Sequence, residues 1–251
     1  MYIPVSHGRL EALMKQPAGP ARGAAVVCHP HPIHGGTMHT KAVYRAAQAF
    51  NDAGLVALRF NFRGVGASTG SYDGGIGERD DLEAVLDWLE AEYPELPLLV
   101  GGHSFGSMVG LSAGADDERV VALLGLGLPV DMDRYDYSFL AKADKPVLVV
   151  QGENDEFGPG ESVSNLLALL GAHITVVRIP GSDHYFTDRL DELREQAERL
   201  HLVLDERVLL AVGPQAHALL HLVEVAQVLG PLLVDHRQHG GALERVVDLL
   251  A

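Results

Sequence analysis

Short apolar runs alternate along the chain with longer segments in which apolar residues recur at helical spacing. The apolar runs predict buried parallel strands from residue 23 onward, with a hairpin in front of them. Strands are expected at 24–28, 55–60, 96–101, 120–126, 147–151 and 174–179, and the hairpin at 1–4 and 10–15. Helices are expected at 40–53, 78–91, 105–115, 160–170 and 188–204. This alternation favours an α/β fold with a mostly parallel, twisted, eight-stranded sheet and helices on both faces.

The composition changes after about residue 204. Lysine is absent from 205–251, histidine, leucine and valine are abundant, and Gly-Pro pairs interrupt the helical pattern. We therefore predict one α/β domain at 1–204 and a C-terminal helical appendage at 205–251 that is not an independent domain. The apolar side chains of the appendage would pack on the core, pack on a second chain, or stay exposed and promote association. The sequence leaves these alternatives open, and a homodimer is one expected assembly.

Composition and charge narrow the classes of partner. The chain has 251 residues, 47% hydrophobic and 21% charged, which is enough to bury the core of a sizeable domain. Its formal net charge of -15 argues against nucleic acid or an anionic membrane as a partner, because phosphates are bound chiefly by basic side chains. The single cysteine, Cys28, excludes an intrachain disulfide and lies in an apolar run that predicts a buried thiol. The N-terminus lacks the features of a secretory signal, so a cytoplasmic protein is expected.

A candidate nucleophile lies between a predicted strand and a predicted helix. Residues 102–106 read Gly-His-Ser-Phe-Gly and fit the G-x-S-x-G pattern, in which a sharp turn presents the hydroxyl of the central serine, here Ser104. Glycine suits the flanking positions because the turn brings backbone segments very close. The pattern alone is weak in a chain with 28 glycines, so its context carries the assignment.

Two candidate partners of this serine follow later strands. A serine hydroxyl needs an imidazole to take its proton, and the imidazole needs a carboxylate to fix its tautomer. Asp155 follows one predicted strand and His184 follows the last, so both lie, like Ser104, just past the carboxyl ends of parallel strands. The rival carboxylates are Glu153, Glu156 and Asp183, of which Asp183 is adjacent to His184 and is expected to point away from it. We predict Ser104 as nucleophile, His184 as general base and Asp155 as the acid that orients it.

Two backbone N–H groups are candidates for an oxyanion hole. Acyl transfer typically uses one donor after the nucleophile and one from the loop after the third strand. Phe105 supplies the first. The loop 29–37 reads His-Pro-His-Pro-Ile-His-Gly-Gly-Thr, and because its prolines have no N–H, His31 is the preferred second donor. Gly35 and Gly36 remain alternatives.

The same loop allows a second interpretation, since its closely spaced imidazoles resemble the ligands of a metal site. The candidates are His29, His31, His34 and His39. No carboxylate lies between residues 28 and 41, and a complete triad leaves a metal without a task, so we expect neither metal nor cofactor. The segment 61–68 lacks the phosphate-loop and dinucleotide patterns and predicts a structural turn, while 72–77 reads as a flexible segment that is one candidate for the border of the pocket, with its role open.

Taken together, these motifs resemble those of the small bacterial α/β-hydrolases related to dienelactone hydrolase, which carry a His-Pro-His-Pro loop. The similarity spans about 23–198 and rests on 29–32, 35–38, 59–64, 102–106, 152–155 and 181–185. It implies the α/β-hydrolase fold, a Ser-His-Asp triad at the three residues predicted above, and hydrolysis of carboxylic esters. Dienelactone hydrolases use a cysteine where this chain has Ser104, which puts that substrate in doubt, and the segment from 205 departs from the family.

The segment after the sixth strand bears on the substrate. Only 128–145 is available for a lid, so we expect a minimal lid, an open pocket, and short acyl esters or thioesters cleaved through an acyl-enzyme. Four aromatic residues are either pocket walls or packing residues: Tyr135, Tyr137, Phe139 and Tyr185. Esterase, thioesterase and peptidase activities share this machinery, with carboxylesterase as our preferred class. A non-catalytic binding protein of the same fold is the alternative function.

Overall fold

The computed structural model of the chain describes residues 1–201, and within them eight strands form one sheet. The strands are β1 (Tyr2–Val5), β2 (Gly8–Lys15), β3 (Ala24–Cys28), β4 (Val56–Phe60), β5 (Leu98–His103), β6 (Val120–Leu126), β7 (Val147–Gly152) and β8 (Ile174–Ile179). Their order across the sheet is β1-β2-β4-β3-β5-β6-β7-β8. The β1–β2 and β2–β4 pairs are antiparallel and the others parallel, so the predicted sheet is confirmed. The predicted appendage at 205–251 lies outside the described residues.

Helices connect the parallel strands and cover the sheet. Those in residues 1–201 are α1 (Lys41–Asp52), α2 (Ile76–Glu92), α3 (Phe105–Asp116), α4 (Gly160–Ala168) and α5 (Leu190–Glu198). α1 packs against α5, and α2 packs against α3. Every position of β3, β5, β6 and β7 is buried, which explains why these strands are unbroken apolar runs in the sequence. Both faces of the central sheet are therefore covered, as predicted.

Most element boundaries differ from the sequence prediction by one or two residues, and α5 (Leu190–Glu198) is shorter than the predicted 188–204. β5, predicted at 96–101, starts and ends two residues later, because Gly102 and His103 continue the pairing with β6. α2 begins at Ile76, two residues before the apolar pattern starts. The Glu78 carboxylate accepts the backbone N–H groups of Asp73 (3.0 Å) and Gly75 (2.7 Å), and this local capping starts the helix early. Neither the strand pairing of Gly102 and His103 nor the capping by Glu78 appears as a periodic pattern of apolar residues, so the pattern alone placed both boundaries wrongly.

The connection between β6 and β7 is short. It contains one 3-10 helix, Ser138–Lys142, whose Leu140 is buried in the core. This is the minimal lid expected from the sequence.

The structure also bears on the state of Cys28 and on whether any helix could span a membrane. Cys28 is a free, buried thiol, as predicted, and burial raises the pKa of that thiol. Among the helices of residues 1–201, none is both long enough and apolar enough to cross a membrane.

Candidate active site

Ser104 lies in the sharp turn between β5 and α3. Its backbone has φ 56° and ψ −121°, a positive φ that non-glycine residues seldom adopt. A Cβ atom at Gly102 would lie 2.0 Å from the Gly106 carbonyl oxygen, so the turn needs glycine there. The Ser104 N–H donates to the carbonyl of Leu126 at the end of β6 (2.9 Å). The turn therefore holds the serine hydroxyl at the carboxyl edge of the sheet.

Ser104, His184 and Asp155 form one hydrogen-bonded chain. Ser104 Oγ lies 2.9 Å from His184 Nε2, and His184 Nδ1 lies 2.8 Å from Asp155 Oδ2. Because an ionised carboxylate only accepts, Nδ1 carries the ring proton and Nε2 accepts from the serine hydroxyl. Asp155 is fully buried and His184 nearly so, whereas Ser104 is partly exposed. The structure thus brings together the three residues that the sequence pointed to.

The loops that carry the histidine and the aspartate are joined by backbone hydrogen bonds. The Glu153 N–H donates to the Ile179 carbonyl (3.0 Å), and the Asn154 N–H donates to the Ser182 carbonyl (2.9 Å). Further along the histidine loop, Phe186 is fully buried and anchors it in the core. The relative positions of the two side chains are therefore set mainly by the main chain.

Gln151, at the end of β7, supports the aspartate and was missed by the sequence reasoning. Its Nε2 donates to Asp155 Oδ2 (2.8 Å) and to the Gly158 carbonyl (2.6 Å), and its Oε1 accepts the Leu128 N–H (2.7 Å). The Phe157 N–H donates to the other carboxylate oxygen (2.9 Å). A single polar residue closing an apolar strand is the signal that could have identified Gln151, because a buried amide needs partners.

None of the rival carboxylates contacts the His184 imidazole. Glu153 and Glu156 are exposed. Asp183 Oδ1 accepts the N–H groups of Tyr185 (3.1 Å) and Thr187 (2.9 Å), so this carboxylate closes the turn of the loop instead of orienting the ring.

His103, the residue before Ser104, is hydrogen-bonded to the loop that carries His184. Its Nε2 donates to the His184 carbonyl (2.9 Å), and the two rings lie 5.1 Å apart. Burial, together with the nearby His184, lowers the pKa of His103 to about 3, so the ring is neutral at neutral pH. The sequence carried no signal for this contact, because His103 occupies a variable position of the G-x-S-x-G pattern.

The loop after β3 leaves the His31 N–H free to donate. In residues 1–201, the N–H groups of His31 and Phe105 donate no hydrogen bond, and the two side-chain rings lie 5.0 Å apart. The Gly35 N–H donates to the Pro32 carbonyl (3.3 Å) and the Gly36 N–H to the His31 carbonyl (3.1 Å). Of the alternatives left open by the sequence, the two glycine amides are therefore already used within the loop.

The four histidines of this loop do not assemble a metal site. His29 is fully buried, with Nδ1 2.6 Å from the Pro30 carbonyl and Nε2 accepting the Phe62 N–H (3.1 Å). His31 Nε2 lies 3.2 Å from the Tyr72 hydroxyl, and His34 and His39 are exposed. No group of three side chains able to hold a metal ion occurs within residues 1–201.

The turn 61–68 is built as a structural element, and the segment 72–77 does not line the cleft beside Ser104 but contacts the loop 29–37 through Tyr72. The Arg63 N–H and guanidinium donate to the buried Asp81 carboxylate, and Asn61 Oδ1 accepts the Met38 N–H (2.9 Å). These hydrogen bonds connect the turn to α2 and to Met38, which directly follows the histidine-rich loop.

A cleft of about 540 Å³ opens beside Ser104. Its walls include His184 and His31, so the nucleophile, the imidazole and the loop with the free N–H face the same space. A neighbouring cavity of about 450 Å³ shares Thr40 and Tyr185 with the cleft. Tyr185 therefore borders both cavities.

The four aromatic residues left open by the sequence divide into two pairs. Tyr135 and Tyr185 line the cleft. Tyr137 is buried with its hydroxyl 2.8 Å from Ser107 Oγ, and Phe139 packs beside it against the core. Only the first pair can contact a ligand directly.

The chain is similar to known proteins over most of its length. A model of the alpha/beta hydrolase domain matches residues 24–209. A protein of Rickettsia prowazekii, itself uncharacterized, is 34% identical over 199 residues, covering 76% of this chain and 84% of that protein. An alpha-beta serine hydrolase homologue from Coxiella burnetii has 38% identity and a TM-score of 0.74, covering 79% of this chain and 95% of its own. A serine hydrolase without lid from Xanthomonas campestris has 36% identity and a TM-score of 0.73, covering 79% and 91%.

Proposed function

This chain belongs to the alpha/beta hydrolase family, and from this membership we propose that it is a serine hydrolase that cleaves small carboxylic esters or thioesters through an acyl-enzyme. The observation that carries the proposal is the hydrogen-bonded chain from the Ser104 hydroxyl through His184 to Asp155. A serine hydroxyl becomes nucleophilic when an imidazole accepts its proton, and a buried carboxylate stabilises the imidazolium that results.

Acylation begins when Ser104 Oγ attacks the carbonyl carbon of the substrate while its proton passes to His184 Nε2. The carbonyl electron pair moves onto the oxygen, which becomes the oxyanion of a tetrahedral intermediate. The free N–H groups of His31 and Phe105 would donate to that oxygen, where the charge develops. The intermediate then expels the alcohol or thiol, which takes the proton from His184, and Ser104 is left acylated.

Deacylation repeats these roles with water as the nucleophile. His184 takes a proton from the water as it attacks the acyl carbon, and returns that proton to Ser104 Oγ when the second tetrahedral intermediate collapses. The products are the free carboxylic acid and the regenerated hydroxyl. Asp155 keeps its charge throughout and holds the imidazole with Nε2 toward the serine.

The cleft supports a short acyl group. The connection between β6 and β7 forms one wall of the cleft through Met132, Arg134 and Tyr135 and leaves Ser104 partly exposed, and the 540 Å³ would be shared between the acyl and alcohol sides of a substrate. We therefore expect kcat/KM to be highest for acetyl to hexanoyl esters in a p-nitrophenyl ester series. A maximum at decanoyl or longer would overturn the substrate proposal while leaving the mechanism intact. We also propose that the relation to dienelactone hydrolase lies in the His-Pro-His-Pro loop and not in the substrate.

The experiment that tests the mechanism is labelling with a fluorophosphonate, followed by mass spectrometry of the modified peptide. The wild-type chain is expected to be labelled on Ser104, and Ser104→Ala is expected not to be labelled. Ser112→Ala is the matched control, because the Ser112 hydroxyl lies on α3 outside the cleft and donates to the Val109 carbonyl. In this variant the labelling of Ser104 should be the same as in the wild-type chain. A folded wild-type chain that is not labelled, or equal labelling of Ser104→Ala, would overturn the proposal.

A further inference from the structure

The two candidate oxyanion donors belong to peptide groups whose carbonyls are both held by side chains. In a planar trans peptide, the carbonyl of one residue and the N–H of the next point in opposite directions. The Phe105 N–H therefore shares its peptide with the Ser104 carbonyl, and the His31 N–H shares its peptide with the Pro30 carbonyl. Whatever fixes the direction of each carbonyl also fixes the direction of the donor.

The Ser104 carbonyl accepts a short hydrogen bond from a buried hydroxyl chain. Ser107 Oγ donates to it at 2.6 Å, in addition to the Ser107 N–H (2.8 Å) and the Met108 N–H (3.3 Å). A serine hydroxyl has one proton, so the Tyr137 hydroxyl, 2.8 Å from Ser107 Oγ, must be the donor in that second contact. Both side chains are almost completely buried. Two backbone N–H groups already donate to this carbonyl, so the hydroxyl is not needed merely to satisfy a buried oxygen.

The Pro30 carbonyl is held in the same way from the other side of the site. His29 Nδ1 donates to it at 2.6 Å, and the Phe62 N–H donates to His29 Nε2 at 3.1 Å, which fixes the tautomer of the ring. Burial lowers the pKa of His29 to about 4, so this tautomer is kept at neutral pH. Behind the carbonyl, a Cβ atom at Gly36 would lie 2.0 Å from the Pro30 oxygen. The peptide is therefore confined on both sides.

We infer that Ser107, supported by Tyr137, and His29 are positioning residues that aim the Phe105 and His31 N–H groups at the oxyanion; the inference rests on the proposed hydrolase function. Donors fixed before the reaction need no reorganisation when charge develops, which is the main advantage of an oxyanion hole. A hydrogen bond accepted by a peptide carbonyl also polarises that peptide and strengthens its N–H as a donor.

The test compares Ser107→Ala, Tyr137→Phe and the double variant with the wild-type full chain. Removal of a whole oxyanion donor costs roughly 10²–10³ in kcat, and these changes only loosen one, so Ser107→Ala should lower kcat for p-nitrophenyl acetate by about 10-fold. Tyr137→Phe should lower it by less, about 3-fold, with KM within about twofold of wild type in both. The double variant should match Ser107→Ala, because Tyr137 acts through Ser107.

A transition-state analogue separates positioning from a merely structural role. A trifluoromethyl ketone adds to Ser104 Oγ and places its own oxyanion in the hole, so its Ki should rise by the same factor as kcat/KM falls. Tyr93→Phe is the matched control, since its hydroxyl contacts Met14 far from the cleft, and neither value should change. For the other peptide, His29→Asn keeps a donor near the Nδ1 position and should retain more activity than His29→Leu.

Two results would overturn the inference. One is a folded Ser107→Ala protein with wild-type kcat and wild-type Ki for the ketone. The other is additive losses in the double variant without a matching rise in Ki. In both cases the wild-type chain would still label with fluorophosphonate and turn over ester, so the proposed function would survive. A wild-type chain without labelling or turnover would remove the proposed function and this inference together.

Discussion

Replacing Asp155 by asparagine tests the proposed triad at its most buried member. The carboxylate accepts hydrogen bonds from His184 Nδ1 (2.8 Å), Gln151 Nε2 (2.8 Å) and the Phe157 N–H (2.9 Å). An asparagine amide offers an oxygen at only one of the two positions. With its oxygen toward Phe157, its NH₂ group faces Gln151 and His184, and the imidazole relieves the clash by moving its proton to Nε2. Nε2 then faces Ser104 as a donor and cannot accept the serine proton.

Each orientation of the amide leaves one buried donor unpaired. In this one, Gln151 keeps the Gly158 carbonyl at 2.6 Å but its other N–H loses the carboxylate oxygen as an acceptor. The reverse orientation leaves the Phe157 N–H facing an NH₂ group, and an unpaired buried donor costs about 1–3 kcal/mol. We therefore expect a protein that folds with somewhat lower stability, and we expect the imidazole in the wrong tautomer because the same exchange produces it in a serine-protease triad. The same exchange in a serine-protease triad lowers kcat by roughly 10⁴, equivalent to about 5 kcal/mol of transition-state stabilisation.

The assay is kcat for p-nitrophenyl acetate at neutral pH, with thermal unfolding as the check on the fold. Glu156→Gln is the matched control, because it removes the same charge from an exposed side chain one position along the chain, and its kcat should equal that of wild type. A folded Asp155→Asn protein with kcat within about tenfold of wild type would refute the reasoning, since no tautomer exchange could then have occurred.

Three further changes have defined outcomes. In Gly36→Ala the new Cβ would lie 2.0 Å from the Pro30 oxygen, so kcat should fall by about 10² or more; an unchanged kcat in a folded variant would contradict the loop geometry. Burial lowers the pKa of His29 to about 4 and that of His103 to about 3, whereas a histidine of the unfolded chain has a pKa of 6.5. Unfolding at a pH below 6.5 therefore takes up protons, and the free energy of unfolding falls as the pH is lowered. Urea unfolding should show stability lost between pH 6.5 and 5 with a slope approaching about two protons, and constant stability over that range would mean that neither imidazole is buried neutral. Gln151→Leu should lower kcat by about tenfold and also the melting temperature, because it removes a donor to the aspartate and leaves buried groups unpaired; wild-type values of both would argue against that support.

The meeting of the three triad side chains could be predicted because the carboxyl ends of parallel strands converge on one edge of a sheet. Ser104, Asp155 and His184 each follow an apolar run, and those runs are readable because the core strands of the sheet have no polar face. The same reasoning separated Asp183 from the imidazole, since side chains of neighbouring residues on an extended loop usually point apart.

The contacts behind the triad could not be predicted. Tyr137 and Ser107 are 30 positions apart, and His29 and Phe62 are 33 positions apart. Such pairs depend on strand register and on how two loops pack, and neither leaves a periodic signal in the sequence. Tyr137 illustrates the limit. Its aromatic side chain and its place after the sixth strand suited a pocket wall and a packing residue equally well, and only the packing of its segment shows that the ring lies in the core.

The position of His184 in the sheet has a consequence for how activity responds to heat. β8, which leads into the histidine loop, is the last strand of the sheet in the described part of the chain and is partly exposed at every position except Ile179. Strands that lead to the serine and the aspartate are buried throughout. An edge strand detaches at a lower free energy than the whole domain unfolds. We therefore expect local opening of β8 to abolish activity at a temperature several degrees below the melting temperature of the domain. This loss should be reversible, so that cooling restores turnover without refolding of the core.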